Sequence, residues 1–145
     1  MTDSVTIHGL EEVEALLARY DMRTEVGVKR IVRHTAESIK NDAVRSINRG
    51  PKTGKQYKRG RNRVHTASKG GEAPATDYGF LANSIKAAIL NQGMAAEVGT
   101  HLEYGRHLEE GTTRIRPRPW LNPALQKNVG TMMRAFRKML EDETR

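Results

Sequence analysis

"RTEVGVKRIVRHTAESIKNDAVRSINRGP", residues 23–51, is the stretch on which the fold turns. Val28, Ile31, Val32, Ala36, Ile39, Ala43 and Ile47 recur at a period near 3.6, which predicts a helix over about residues 23–48 with a single apolar stripe. Gly50 and Pro51 supply the stop expected just past a helix end. Such a helix spans roughly 40 Å at 1.5 Å per residue.

On its amino-terminal side, "SVTIHGL" alternates with Val5 and Ile7 on one side, which predicts a short strand before Gly9. Leu10, Val13, Leu16, Leu17 and Tyr20 then recur at helical spacing and predict a first helix. No basic start precedes an apolar run, and no stretch approaches 18 apolar residues. Neither a signal peptide nor a membrane span is expected.

On the carboxy-terminal side the helical pattern stops. "PKTGKQYKRGRNRVHTASKGGEAPATD" is rich in glycine and positive charge and nearly free of apolar residues, so a long mobile loop is expected over about residues 50–77. Ile85, Ala87 and Ile89, a Gln92-Gly93 turn, and Met94, Ala96 and Val98 predict a hairpin. Thr100 and Glu103 have the spacing of a capping box, which starts a short helix at His101, and Gly111 is placed to end it in a left-handed conformation. Asn122 as N-cap and Pro123 at the first helical position open a last helix. Its stripe of Leu125, Val129, Met132, Met133, Phe136, Met139 and Leu140 faces a core.

These elements predict an α+β fold: a small antiparallel β-sheet packed against a long α-helix and a C-terminal α-helix, with a long basic loop. At 145 residues a single domain over residues 1–145 is expected. A two-stranded hairpin is marginal by itself in water, so the amino-terminal strand or a neighbouring subunit should extend it.

Charge narrows the function. Lys and Arg number 25 against 17 acids, a net +8 that favours polyanionic partners or acidic protein surfaces. The absence of cysteine excludes disulfides, thiolate metal sites and Cys catalysis.

The cations concentrate in two places. In "HLEEGTTRIRPRPW", residues 107–120, Glu109 and Glu110 sit in the last turn of the short helix, where the dipole disfavours acids by about 0.3–1 kcal/mol each. Pro117 and Pro119 force an extended ribbon, and period 2 then puts Arg114, Arg116 and Arg118 on one side. Two readings stand for this stretch. One is a turn with a surface salt bridge and Trp120 in the core; the other is a docking edge, since Trp and Arg are enriched at binding hot spots.

The second concentration is the loop carrying Lys52, Lys55, Lys58, Arg59, Arg61, Arg63 and Lys69, with Tyr57 among them and no acid. Its composition suits a DNA channel or an acidic partner ring, and, for an isolated chain above all, a solvated, disordered insertion. Six phosphate contacts would give a log-log salt slope of about −5. No helix-turn-helix, zinc finger or aromatic stacking platform accompanies the loop, so sequence-specific recognition is not expected.

Enzymatic readings find less support. His101 and His107 fall on nearly opposite sides of a helix, with no HExxH pattern, so neither a metal site nor a cofactor is expected. Ser38, Ser46, Ser68 and Ser84 lack nucleophile-elbow glycines, and "TGKQYKRG" lacks the ending of a phosphate loop. Glu103, Glu109 and Glu110 beside the basic loop leave a small metal-dependent nuclease as a third reading, behind a basic nucleic-acid-binding accessory protein.

"YGRHLEEGTTRIRPRPWLNPAL" resembles the tyrosine, glutamate-x-Gly-Thr, Arg-Pro-aromatic-Leu-x-Pro-Ala block of the tail-completion, or head-tail joining, proteins of long-tailed DNA bacteriophages and prophages. "TGKQYKRG" and "HTASKGGEAPATDYGFLANSI" resemble a second block of that family, in the same order, so the likeness runs over about residues 27–126. The chain departs from the pattern at Tyr78 and Phe80, where a Thr and a basic residue are more usual, and at Glu110, where an aromatic is common.

The resemblance implies a non-catalytic virion protein assembled in the host cytoplasm. It implies a ring oligomer, such as a hexamer, at the neck, between head-tail connector or adaptor proteins and the tail terminator or tail tube. It makes Tyr104, Glu109, Gly111, Thr112, Arg114, Arg116, Arg118, Pro119 and Trp120 candidate subunit-interface residues. Lys52, Lys55, Lys58, Arg59, Arg61 and Arg63 would face DNA or a partner, with no role for a membrane.

Overall fold

The computed structural model describes residues 3–6 and 22–143. Among them the fold is α+β. The spine is α1, Met22–Arg49, in which Val28, Val32, Ala36, Ile39, Ala43 and Ile47 are all buried, as their spacing predicts. Each fully buried Val or Ile in this stripe contributes about 1.5–3 kcal/mol by leaving water. The helix stops at the expected place, and the Gly50 N–H donates to the Ser46 carbonyl at 2.9 Å.

A three-stranded antiparallel sheet lies against α1. Its strands are β1, Asp3–Thr6; β4, Lys86–Leu90; and β5, Ala95–Thr100, in the order β1-β5-β4. The amino-terminal strand therefore does extend the hairpin, with Val5 in register with Val98. Ala96, Val98 and Thr100 alternate as the buried set of β5, and Ala87 pairs with Val98. The turn joining β4 to β5 holds Asn91, Gln92 and Gly93 at φ of 48°, 57° and 100° in succession. The predicted helix over residues 10–20 and the Ile7 position lie outside the described residues.

The basic stretch is not a structureless loop. It folds into a second, separate hairpin of β2, Gln56–Arg59, and β3, Arg63–Thr66, closed by a tip in which Gly60 takes φ 72°. Alternation was invisible there because every side chain of β2 is exposed, so no apolar face marks the strand. A one-turn helix, α2, Phe80–Ser84, follows and buries Leu81 and Ala82.

The short helix α3 runs over Glu103–Glu110 and not from His101. Thr100 forms no capping box: its Oγ1 shares a hydrogen bond with the buried Ser84 hydroxyl and accepts the Leu102 N–H at 3.1 Å. Gly111 does end the helix, but at φ 77° and ψ 177°, a region open essentially to glycine alone and distinct from the left-handed helical region expected. A Cβ there would also fall 2.8 Å from both the Ile115 carbonyl oxygen and Pro117 Cδ.

The last helix, α4, spans Asn122–Glu143 and packs along α1. The approach is close enough that a Cβ on Gly27 would stand 2.6 Å from Met139 Sδ. Met132 and Phe136 are buried and Leu125 and Met139 partly so, whereas Met133 is 55% exposed and leaves the predicted stripe. Asn122 is a residue of the helix and not its cap, because the first helical hydrogen bond runs from the Leu125 N–H to the Leu121 carbonyl at 2.9 Å. Between the two helices Asp42 accepts from Lys127 Nζ at 3.1 Å and Asn128 Nδ2 at 2.9 Å. Burial raises the Asp42 carboxyl, but those hydrogen bonds and the charges of Lys127 and Arg45 outweigh it and hold the pKa below its ordinary value.

Candidate functional site

The two cationic segments meet on one side of the molecule. Residues 112–115 form a tight turn in which the Thr112 N–H donates to the Ile115 carbonyl at 2.8 Å, and Thr112 Oγ1 accepts the N–H groups of Arg114 and Ile115 at 3.2 Å each. That turn takes in Arg114, so the three arginines do not form the single alternating row expected. Arg114 is exposed, and the Arg116 side chain lies over Gly70, where a Cβ would stand 2.7 Å from its own Cβ. One residue on, the Gly71 N–H donates to the Pro117 carbonyl at 2.8 Å. The ribbon is thereby joined to the base of the basic hairpin.

Glu109 solves the problem of an acid at a helix end in an unexpected way. Its carboxylate accepts the N–H groups of Trp120 at 2.7 Å, Leu121 at 2.9 Å and Asn122 at 2.8 Å, so it caps the start of α4 across eleven to thirteen residues of sequence. No arginine among the described residues is involved. The positive end of one helix dipole thus offsets the negative end of another. Glu110 pairs instead with Arg106 one turn earlier, at 3.1 Å.

Trp120 is fully buried, and its Nε1–H donates to the Gly105 carbonyl at 3.0 Å. It belongs to the core and is not part of a docking surface of this chain. Gly105 is buried beside it, since a Cβ there would stand 2.7 Å from Thr100 Cγ2. Arg118 is half-buried; its backbone N–H donates to the Leu108 carbonyl at 2.6 Å, and its Nε is buried without a hydrogen-bond partner. Pro119 is half-buried and, with Trp120, floors a cleft of about 360 Å³ rimmed by Arg45, Arg49 and Lys127. Tyr104 is 43% exposed on α3, and its partial burial pushes its hydroxyl pKa up.

The hairpin is held at two points that the sequence reading missed. At its base the Glu72 carboxylate accepts from the Thr53 hydroxyl, the Thr53 N–H at 3.0 Å and the Lys69 N–H at 2.9 Å. The Thr53 side-chain hydrogen bond, the two backbone N–H groups and the nearby Lys69 charge lower its pKa from 4.5 to about 2. Nearer the tip, Asp77 accepts from Arg59 Nε at 3.0 Å and from Arg63 Nη2, with His65 Nδ1 at 3.8 Å. Register places Arg59 directly opposite Arg63, a repulsive pair that the carboxylate between them offsets.

These contacts divide the six loop cations. Lys52 turns back to the end of α1, its Nζ donating to the Ser46 carbonyl at 3.4 Å, and burial pushes its ammonium pKa down while the Glu72 charge opposes that shift. Arg59 and Arg63 share Asp77. Lys55, Lys58 and Arg61 are exposed and have no acidic partner among the described residues. Two exposed rings also stand at this site: the Arg63 guanidinium lies 4.9 Å from the Tyr78 ring centre, and Tyr78 and Phe80 are 6.0 Å apart.

Among the described residues no group of three or more His, Asp or Glu side chains is arranged to hold a metal ion, and no helix is long and apolar enough to cross a membrane. No protein family, curated protein or solved structure matches this chain.

Proposed function

We propose that this chain is a structural, non-catalytic component of the neck of a long-tailed DNA bacteriophage or prophage. In this reading it assembles in the host cytoplasm as a ring at the head-tail junction of the virion, between connector or adaptor proteins and the tail terminator or tube, around the DNA channel. The observation that carries the reading is the pinned cationic edge. A projecting hairpin held by Glu72 and Asp77 is joined at Gly70 and Gly71 to the Arg116–Pro117 ribbon, which makes one stiff positive margin out of two separate sequence blocks. Those are the two blocks that resemble the tail-completion family. A margin already ordered before contact loses less conformational freedom on docking, which favours a scaffold part that fits against neighbours.

The test is complementation of a phage lacking the gene by variants reversed on the exposed margin, Arg114→Glu with Arg61→Glu. Both side chains are exposed, so the chain folds. Electron micrographs of the lysate should show filled heads and separate tails that fail to join. Normal infectious particles from the double variant, or from the deletion itself, would overturn the proposal.

A further inference from the structure

The hairpin has two unlike faces. Pairing of Tyr57 with His65 and of Arg59 with Arg63 puts these four side chains on one face, while Lys58 and Val64 lie on the other. The first face is continued by the residues that follow Asp77. Tyr78 is 64% and Phe80 69% exposed, and Tyr57 is 47% exposed. Single exposed aromatics are ordinary on protein surfaces, but three beside stacked and paired guanidiniums form a patch that asks for a partner.

The patch is also stiffened. Asp77 takes Nε of Arg59 and one terminal nitrogen of Arg63, and the Arg63 guanidinium lies over the Tyr78 ring. Two cations against one carboxylate leave a net positive charge, and each guanidinium keeps further N–H donors for an anion. At the tip Arg61 adds another cation that has no acidic partner among the described residues.

We propose that this face binds single-stranded nucleic acid. Unpaired bases stack on Phe80 and on the Tyr78–Arg63 pair, and the phosphates meet Arg59, Arg61 and Arg63. A duplex offers the same phosphates but keeps its bases stacked on one another, so it uses the cations and leaves the rings idle. Flat aromatic faces accept any base, which makes the binding tolerant of sequence. The inference does not rest on the neck reading, because it concerns the isolated chain.

The test is fluorescence anisotropy with a dye-labelled oligothymidylate of about 15 nucleotides and a duplex of the same length, at low salt. The single strand should bind about tenfold or more tighter than the duplex. Tyr78→Ala and Phe80→Ala should each weaken the single-strand complex by about fivefold or more and leave duplex binding and the melting temperature unchanged, while Tyr78→Phe restores the affinity. With three phosphate contacts the single-strand affinity should fall with a log-log salt slope of about −2. Equal binding of strand and duplex, or alanine variants that bind like the parent, would overturn the proposal. Failure to bind either probe would overturn it as well and leave an acidic protein as the occupant of the patch. Failure here and failure of head-tail joining are separate results, one read from the purified chain and the other from the particle.

Discussion

Glu109 ends one helix and begins another. Its carboxylate holds the N–H groups of Trp120, Leu121 and Asn122, three donors at the entry to α4 that would otherwise be left to water or unpaired. Glu109→Ala should therefore lower the unfolding free energy by about 1–3 kcal/mol, the range for losing a cap and stranding partly buried donors. Chemical denaturation reads this directly, and a loss below about 0.5 kcal/mol would show that the cap is idle. Trp120 belongs to the same unit through its bond to the Gly105 carbonyl. Substitutions at Trp120 or Glu109 consequently report on folding, and exposed residues such as Arg114 are the ones on which the proposed docking can be tested.

At the scale of elements, the basic hairpin owes its order to two carboxylates and not to a core, since all of β2 and the first half of β3 are exposed. Glu72 makes that order dependent on pH. Its pKa is about 2 in the folded chain against an ordinary 4.5, so its contribution is complete above about 4.5 and is lost as the pH falls through the folded value. Amide exchange at Thr53 and Lys69 should accelerate, relative to the intrinsic rate, as the pH is lowered from 4.5 towards 2. In Glu72→Gln the same amides should be less protected already at neutral pH and show no such acid step. Protection at these two amides that ignores the carboxyl would disprove the staple.

At the scale of the whole molecule, α1 is the element against which both the sheet and α4 pack. Its seam with α4 is set by a small residue, because Gly27 allows Met139 to lie where a side chain would stand. Gly27→Val should cost about 1–3 kcal/mol by overpacking, and Met139→Ala in the same chain should recover part of that loss. Additive losses in the double variant would mean that the two residues do not share the seam. Among the described residues the same architecture leaves β4 as a sheet edge, with Ile89 and Leu90 each 37% exposed.

Periodicity alone determined the elements whose identity depends on burying one face: α1 with its stripe from Val28 to Ile47, β5 with Ala96 and Val98, and the stretch of α4 around Met132 and Phe136, whereas in β4 the predicted Ile89 is exposed. Apolar spacing is a local signal, and water enforces it wherever one side is covered. The cationic character of the margin was equally legible, because charge is a property of composition. What only the tertiary structure decided was every relation between distant residues. Asp77 between Arg59 and Arg63, Glu72 closing the hairpin, Glu109 capping a helix that starts thirteen residues later, and Trp120 passing from a candidate edge to the core all depend on which segments come together. A carboxylate finds its donors through space, and no spacing rule along the chain encodes which backbone N–H groups the fold will leave open to it.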